Sequence, residues 1–281
     1  MKTKILLCCL FALTLGCVDR VEIKNDNFTA QPVIWAELTS DGEFRVIVSL
    51  TTNIDENSSN AFVDDATIRL WKVGENNPIA ENFNYDKENK SYYPVSLIET
   101  EADDVYWLEI ELNDGSSYVS SQEKMPTAVS VSDIVYVNNQ LRAVFQDIKD
   151  EPNFYFADFK ISHILISDEI TEHLQIVSND ILFDGNAKAY VGEYITLDNN
   201  ESYNISLKLH SLGNSAYLFY RNFIEQKDLN EGSEQQEGDL GSMFSRPPAN
   251  LYGNITKKEG GEKVLGQFIV SSISTINKTI E

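Results

Sequence analysis

Hydrophobic and polar residues alternate along most of the chain, with turn sequences between the alternating runs. Residues 44–50 and 105–112 carry apolar side chains at every second position, and residues 66–73 place Ile68 and Leu70 on one face, which is the period of a β-strand. Asp41-Gly42 and Asp114-Gly115 are typical of hairpin turns. Alternating runs with turns at intervals of about 8–12 residues predict a β-sandwich of the immunoglobulin type.

The series of predicted strands is interrupted at Met125-Pro126-Thr127. Proline cannot donate to a sheet ladder, so we place a domain boundary near residue 125. The sequence therefore predicts a mainly β protein. An immunoglobulin-like β-sandwich occupies residues 31–125, and a β-rich second domain with one amphipathic helix occupies residues 126–281.

The predicted helix lies in the second domain, over about residues 215–227. Its apolar side chains recur with the period of one helix face; they are Ala216, Tyr217, Tyr220, Phe223 and Ile224. Residues 228–241 are rich in Glu, Gln, Gly and Ser. Because such a segment has little apolar surface to bury, it predicts a mobile acidic loop.

The amino terminus has the organisation of a bacterial lipoprotein signal. Two lysines precede an apolar run at residues 5–15. That run is shorter than the roughly 20 residues of a membrane span and has the length of a secretory signal. Gly16-Cys17 resembles a lipobox, which implies removal of residues 1–16, acylation of Cys17 (palmitate included) and a lipidated tether over residues 17–30. The alternative is an ordinary signal peptide followed by a chance cysteine.

Cysteine usage and charge narrow the possible functions. Cys8 and Cys9 leave with the signal, so the processed chain holds only the acylated Cys17 and has no disulfide. The first 16 residues contain two lysines and no acid, which leaves 20 basic against 44 acidic residues and a formal charge of −24. Nucleic-acid binders show clustered basic residues, so we predict no nucleic-acid partner.

The sequence contains no recognisable catalytic motif. The three histidines are His163, His173 and His210, and none has a metal-ligand partner at i+3 or i+4. Asp184-Gly185 indicates a turn rather than a calcium loop. The acidic run at residues 99–104 indicates a solvated loop, with a weak cation site as the alternative. We therefore predict a protein that is not an enzyme and has no cofactor or metal.

Aromatic residues supply the candidate ligand contacts. Trp35, Trp71 and Trp107 lie on predicted strands, which favours packing in the core. Tyr92 and Tyr93 stand together before a proline and form the candidate platform for a ligand.

The second half resembles a known family. The carrying segments are Ile-Leu-Phe-Asp-Gly at residues 181–185, the helix at 212–226, and residues 244–255 and 264–268. Together with Cys17 and the Val-Ile-Trp-Ala-Glu-Leu-Thr strand at residues 33–39, they resemble the Bacteroidota lipoprotein family known as domain of unknown function 4249 (DUF4249), over nearly the whole processed chain. The family supplies no functional residues that could be transferred to this sequence.

The resemblance implies an outer-membrane lipoprotein whose gene accompanies a TonB-dependent transporter. The leading hypothesis is a non-catalytic accessory partner of that β-barrel transporter in nutrient uptake, anchored to the lipid bilayer through acylated Cys17. The alternative is a surface glycan- or peptide-binding module that acts on its own. Asp19 and Glu22 follow Cys17 closely and favour the cell surface, with the periplasmic face of the outer membrane as the alternative.

Overall fold

A computed structural model of the protein describes residues 28–53, 61–164, 170–186, 188–198, 200–234 and 250–280. The predicted signal peptide, Cys17 and most of the tether lie outside the described residues.

The described residues form seventeen strands and one helix, so the predicted mainly β fold is confirmed. The strands of the first half are β1 (Pro32–Thr39), β2 (Phe44–Leu50), β3 (Ala61–Phe62), β4 (Thr67–Lys72), β5 (Phe83–Asp86), β6 (Ser91–Pro94), β7 (Val105–Glu111), β8 (Ser117–Ser120) and β9 (Glu123–Lys124). The elements of the second half are β10 (Val131–Val137), β11 (Gln140–Phe145), β12 (Phe154–His163), β13 (Ile170–Asn179), β14 (Ala189–Tyr194), β15 (Tyr203–Leu212), α1 (Asn214–Glu234), β16 (Tyr252–Lys257) and β17 (Lys263–Ile280).

One large sheet runs through most of the molecule in the order β4-β7-β8-β16-β17-β1-β2-β6-β5. Strand β15 also pairs with β17, and β12 and β13 follow it outward. A separate sheet has the order β10-β11-β14. The sheets enclose two hydrophobic cores, one formed mainly by β1, β2, β4 and β7 and the other by β11, β12, β14 and β15.

Strand β17 serves both cores. Its first half pairs in parallel with β1, from Val33 opposite Leu265 to Thr39 opposite Ser271. Its second half pairs in antiparallel fashion with β15, up to Ile280. One 18-residue strand therefore connects the two cores through continuous backbone hydrogen bonding.

The predicted domain division needs a correction. Residue 125 does fall between the two cores along the chain, but residues 31–125 do not enclose the first core alone. Strand β16 pairs with β8 and β17 pairs with β1. These strands supply four side chains of the first core, which are Ile255, Val264, Phe268 and Val270. Without them β1 and β8 would each expose a row of unpaired backbone groups. Strand periodicity cannot reveal that the first core depends on strands so distant in sequence.

Helix α1 packs across the region where the two cores meet. Ala216, Tyr217 and Tyr220 are buried in a third cluster with Phe156 and Ile269. The helix extends to Glu234, so residues 228–234 of the predicted acidic loop are helical, and residues 235–241 lie outside the described residues. Elongating an existing helix adds one hydrogen bond per residue without requiring burial. Within the described ranges, no helix is both long enough and apolar enough to cross a membrane.

Candidate functional site

An open groove of about 1200 Å³ lies on the outer face of the large sheet, beside the junction of the two cores. Strands β1, β2, β12 and β15 form its floor. Helix α1 forms one wall through Tyr220 and Phe223, and residues 93–97 form the other. The groove thus requires both halves of the chain.

Strand alternation explains why polar side chains line the floor. On β1, Ile34, Ala36 and Leu38 are fully buried in the first core, which turns Glu37 toward the groove. On β15, Leu207 and its alternate neighbours enter the second core in the same way, and Lys208 faces the groove.

The floor carries charged residues of both signs at directly opposed positions. Glu37 on β1 lies opposite Arg45 on β2, and Asp158 on β12 lies opposite Lys208 on β15. The Glu37 side chain is 27% exposed. Burial raises its pKa, and the cationic groups of Lys208 and Arg45 only partly oppose this effect. Perturbed titratable groups in a cleft are typical of functional sites.

His210 is almost fully buried at the edge of the floor. Its Nδ1 lies 3.0 Å from Ser271 Oγ and 3.6 Å from Glu37 Oε1. Burial lowers the pKa of His210 to about 4, and Lys208 acts in the same direction, so the ring is neutral at pH 7. A catalytic triad would use the two ring nitrogens for different partners. Here the hydroxyl and the carboxylate approach the same nitrogen, and Ser271 is fully buried.

The second histidine near the groove is held by a carboxylate. His173 Nε2 contacts Asp158 Oδ1, between the neighbouring strands β13 and β12. This contact occupies one oxygen of the floor carboxylate that lies opposite Lys208.

The rim of the groove exposes apolar side chains. Val95 is 66% exposed and Leu97 is 73% exposed on one wall, and Phe223 is 36% exposed on the other. Trp35 lies between the floor and α1, with its ring 5.6 Å from that of Phe219 in an edge-to-face arrangement. Apolar side chains grouped at the edge of a polar surface are typical of interaction sites.

The predicted tyrosine platform also needs a correction. Tyr92 is 3% exposed, and its hydroxyl donates to Val63 O at 2.9 Å and accepts from Ala66 N at 2.9 Å. Burial raises the pKa of Tyr92 to about 12. Tyr93 lies in the groove wall. Because neighbouring residues of a strand point to opposite faces, the two rings cannot form one platform.

The predicted core tryptophans lie on strands, but all three are only half-buried. Trp71 and Trp107 face each other across β4 and β7. Their rings stack with centroids 5.6 Å apart, on the face opposite the buried Ile68 and Leu70.

A second cluster of polar groups lies away from the groove. Carboxylate oxygens of Asp147, Asp180 and Asp184 lie within 4.8 Å of one another, close enough to bind one hard cation. Asp147 accepts a hydrogen bond from Gly185 N at 2.8 Å, which belongs to the predicted turn. The sequence indicated that turn, but not the approach of Asp147 and Asp180, because they come from other segments of the chain.

The acidic run at residues 99–104 is partly neutralised by lysines. Asp104 lies 2.6 Å from Lys72 Nζ, and Asp103 lies 2.8 Å from Lys124 Nζ. These ion pairs tie the run to β4 and β9.

The fold and the groove together define a class: a mainly β protein in which a shared strand joins two cores beside an open cleft. More particularly, the family model of DUF4249, a domain of unknown function, matches residues 18–277, and the chain belongs to this family.

Comparison with solved structures gives a distant likeness. The crystal structure of the chicken CNTN1 FN1-FN3 domains is 13% identical, with a TM-score of 0.20. The match covers 63% of this chain and 59% of that one. A likeness at this TM-score supports no conclusion about the chain. The comparison with curated proteins finds no match.

Proposed function

We propose that this protein is a non-catalytic lipoprotein of the outer membrane that binds a TonB-dependent β-barrel transporter through the groove. The observation that carries the proposal is the groove itself, an open cleft of about 1200 Å³ whose rim exposes Val95, Leu97 and Phe223. Exposed apolar side chains of this size cost free energy in water, and a bound partner would cover them.

The lipobox-like sequence supports the location. Acylation of Cys17 would hold the chain at a bilayer, since several acyl chains anchor a protein stably. The processed chain carries a formal charge of −24, which disfavours binding to an anionic lipid surface. A lipid anchor would therefore keep the protein at the outer membrane, on the cell surface in our proposal, and leave the groove available to a membrane protein.

Affinity purification from native membranes tests the partnership. We expect a β-barrel transporter to be recovered with the full chain and lost with the variant Val95→Asp/Leu97→Asp. The control Val137→Asp changes a residue that is 51% exposed on β10, outside the groove. Recovery of the wild-type protein without any β-barrel protein would contradict the proposal.

Protease treatment of intact cells tests the location. A surface protein is digested, whereas one on the periplasmic face is protected. The variant Cys17→Ser should lose membrane association in the same cells, because it has no thiol to acylate.

Tyr93 favours a second candidate function, capture of a glycan or peptide by the protein alone. Its ring lies in the groove wall beside polar floor residues, and an aromatic face with nearby hydrogen-bonding groups suits either ligand. Calorimetric titration of the Cys17→Ser protein with glycans and peptides tests this function. Binding that disappears in Tyr93→Ala and persists in Tyr194→Ala, a tyrosine 71% exposed outside the groove, would support it.

A further inference from the structure

We infer that the groove takes an extended polypeptide segment of the partner, which presents an acidic side chain to Lys208 and Lys160 and aliphatic side chains to Val95 and Leu97. The inference rests on the proposed function, since it names the chemistry that the partner would bring into the groove.

Lys208 provides the first argument. It is half-buried on the groove floor. The carboxylate opposite it belongs to Asp158, one oxygen of which contacts His173. Within the described residues, the Lys208 ammonium has no hydrogen bond and no ion pair within 4.0 Å. The ammonium thus has no protein acceptor among these residues, and a carboxylate from a ligand would form a charge-assisted hydrogen bond with it.

Lys160 extends this basic position along the sheet. It lies on β12, two residues beyond Asp158, and faces Ser206 on β15. It is exposed, and no described residue forms an ion pair with it. An acidic side chain placed between the two lysines would gain charge-assisted hydrogen bonds that the protein alone does not make.

The charge of the groove differs from that of the molecule. Its lining includes four basic residues, Arg45, Lys160, Lys208 and Lys227, and three acidic ones, Glu37, Glu43 and Asp158. The whole chain has 22 basic and 44 acidic residues. The groove lining is therefore close to charge balance on an acidic protein, and Lys160 and Lys208 give an anionic ligand group a place to bind.

The rim favours a polypeptide over an acidic glycan. Val95 and Leu97 are aliphatic and largely exposed. They can bury aliphatic side chains of a peptide, whereas a sugar would pack only against the aromatic rings of Tyr93 and Phe223. The floor adds the exposed Ser206 and Thr275, whose hydroxyls can bond to an extended backbone.

Peptide selection tests the inference. The probe is a phage-displayed library of random peptides about twelve residues long, which reach up to about 40 Å when extended, selected on the immobilised Cys17→Ser protein. We expect enrichment of sequences that combine Asp or Glu with Leu, Ile or Val. A synthetic enriched peptide, followed by fluorescence anisotropy, should bind about tenfold more weakly to Lys208→Ala, as expected for loss of a charge-assisted bond.

Matched variants distinguish peptide binding in the groove from binding elsewhere on the surface. Lys208→Arg keeps the charge and should retain binding, and Lys263→Ala removes an exposed lysine outside the groove and should have no effect. Leu97→Ser should weaken binding, whereas Val137→Ser should not. Thermal unfolding of each variant verifies that it is folded. Enrichment of basic peptides, no enrichment at all, or an affinity unchanged by Lys208→Ala would overturn the inference.

Two further outcomes distinguish this inference from the proposed function. If the transporter is recovered equally with wild type and with Lys208→Ala/Leu97→Ser, the proposed partnership stands and the inference is overturned. Acidic peptides that bind through Lys208, without any transporter in the membrane purification, would support the groove chemistry and overturn the transporter assignment. Binding of polygalacturonate without binding of peptides would overturn the inference in favour of an acidic glycan.

Discussion

The two cores differ in how the chain supplies them. The second core is nearly continuous in sequence, since its buried residues lie between Val129 and Leu209. The first core combines residues from the first half with Ile255, Val264, Phe268 and Val270 from the end of the chain. The first core can therefore be completed only after β16 and β17 are available, although most of its residues come earlier.

The groove depends on this arrangement. Its floor places β1 and β2 of the first core beside β12 and β15 of the second, and β17 joins the two pairs. Helix α1 closes the junction through contacts with Trp35 and Phe156, one from each half. The relative position of Arg45 and Lys208 on the floor is thus set by a strand distant from both in sequence.

The largest expected effect comes from separating the first core from its last strands. Residues 31–125 expressed alone should remain unfolded, because the fragment lacks four core side chains and leaves β1 and β8 unpaired. Circular dichroism and a urea titration would show no cooperative transition. The control joins the same fragment through a short linker to residues 250–271 and should recover the transition. A cooperative transition in the fragment alone would show that the first core is independent.

Substitutions in the two halves of β17 compare how much each half contributes to stability. Phe268 is fully buried and its ring lies 6.3 Å from that of Phe44, so Phe268→Ala should lower the free energy of unfolding by about 3–5 kcal/mol. Ile276 is only half-buried at the second core, and Ile276→Ala should cost about half as much or less. Equilibrium urea unfolding measures both. Equal losses would contradict the dependence of the first core on this strand.

Gly266 tests the close approach of β17 to β1. It has φ of +99°, and a Cβ at this position would lie 1.9 Å from Ile34 O. Gly266→Ala should therefore destabilise the protein by roughly 2–3 kcal/mol, through backbone strain and separation of the strands. Gly260 has φ of +88° with open space around it, so Gly260→Ala should lose only about 1 kcal/mol. Similar losses in the two variants would mean that strand separation contributes nothing.

The sequence predicts local structure here much better than long-range contacts. Strand periodicity located β2, β4 and β7, and helical periodicity located the buried face of α1. Neither pattern contains information about the parallel pairing of β1 with β17, because a strand's side-chain alternation is the same whichever neighbour it pairs with. The apparent domain boundary at residue 125 followed from this limit.

The candidate site was harder to predict than the fold. Tyr93 was identified because aromatic residues before a proline suggested a surface platform, and it does line the groove. Lys208 and Glu37 carry no motif, and each resembles an ordinary polar position on an alternating strand. Only the folding of both halves onto β17 places their charges in one cleft.

The free energy of unfolding should depend on pH through His210, which lies at the junction between the cores. Its pKa is about 4 in the folded protein, against about 6.5 in an unfolded chain. Below pH 6.5 the unfolded state binds a proton that the folded state does not. The free energy of unfolding should therefore fall as pH decreases from 6.5 toward 4, by up to about 1.4 kcal/mol per pH unit.

Glu37 should oppose this trend. Its raised pKa means that its contribution to stability is present at low pH and is lost as pH rises through the folded value. Urea unfolding between pH 5 and 7.5 should give a shallower slope in His210→Gln than in wild type, and a steeper one in Glu37→Gln. An unchanged slope in His210→Gln would show that the imidazole is as free to ionise in the fold as in the unfolded chain.

The smallest expected effect is a difference in stability between variants of two adjacent tyrosines, one in the first core and one in the groove wall. Tyr92→Phe removes a buried hydroxyl with two hydrogen bonds and should cost about 1–2 kcal/mol. Tyr93→Phe removes a hydroxyl in the groove wall and should change stability by less than about 0.5 kcal/mol. Because the pKa of Tyr92 is raised to about 12, its contribution is complete below about pH 10 and is lost as pH rises toward 12. Urea unfolding at pH 7 and pH 11 should therefore show a smaller difference between wild type and Tyr92→Phe at the higher pH. Equal losses at both positions would mean that alternation on β6 does not divide core from groove.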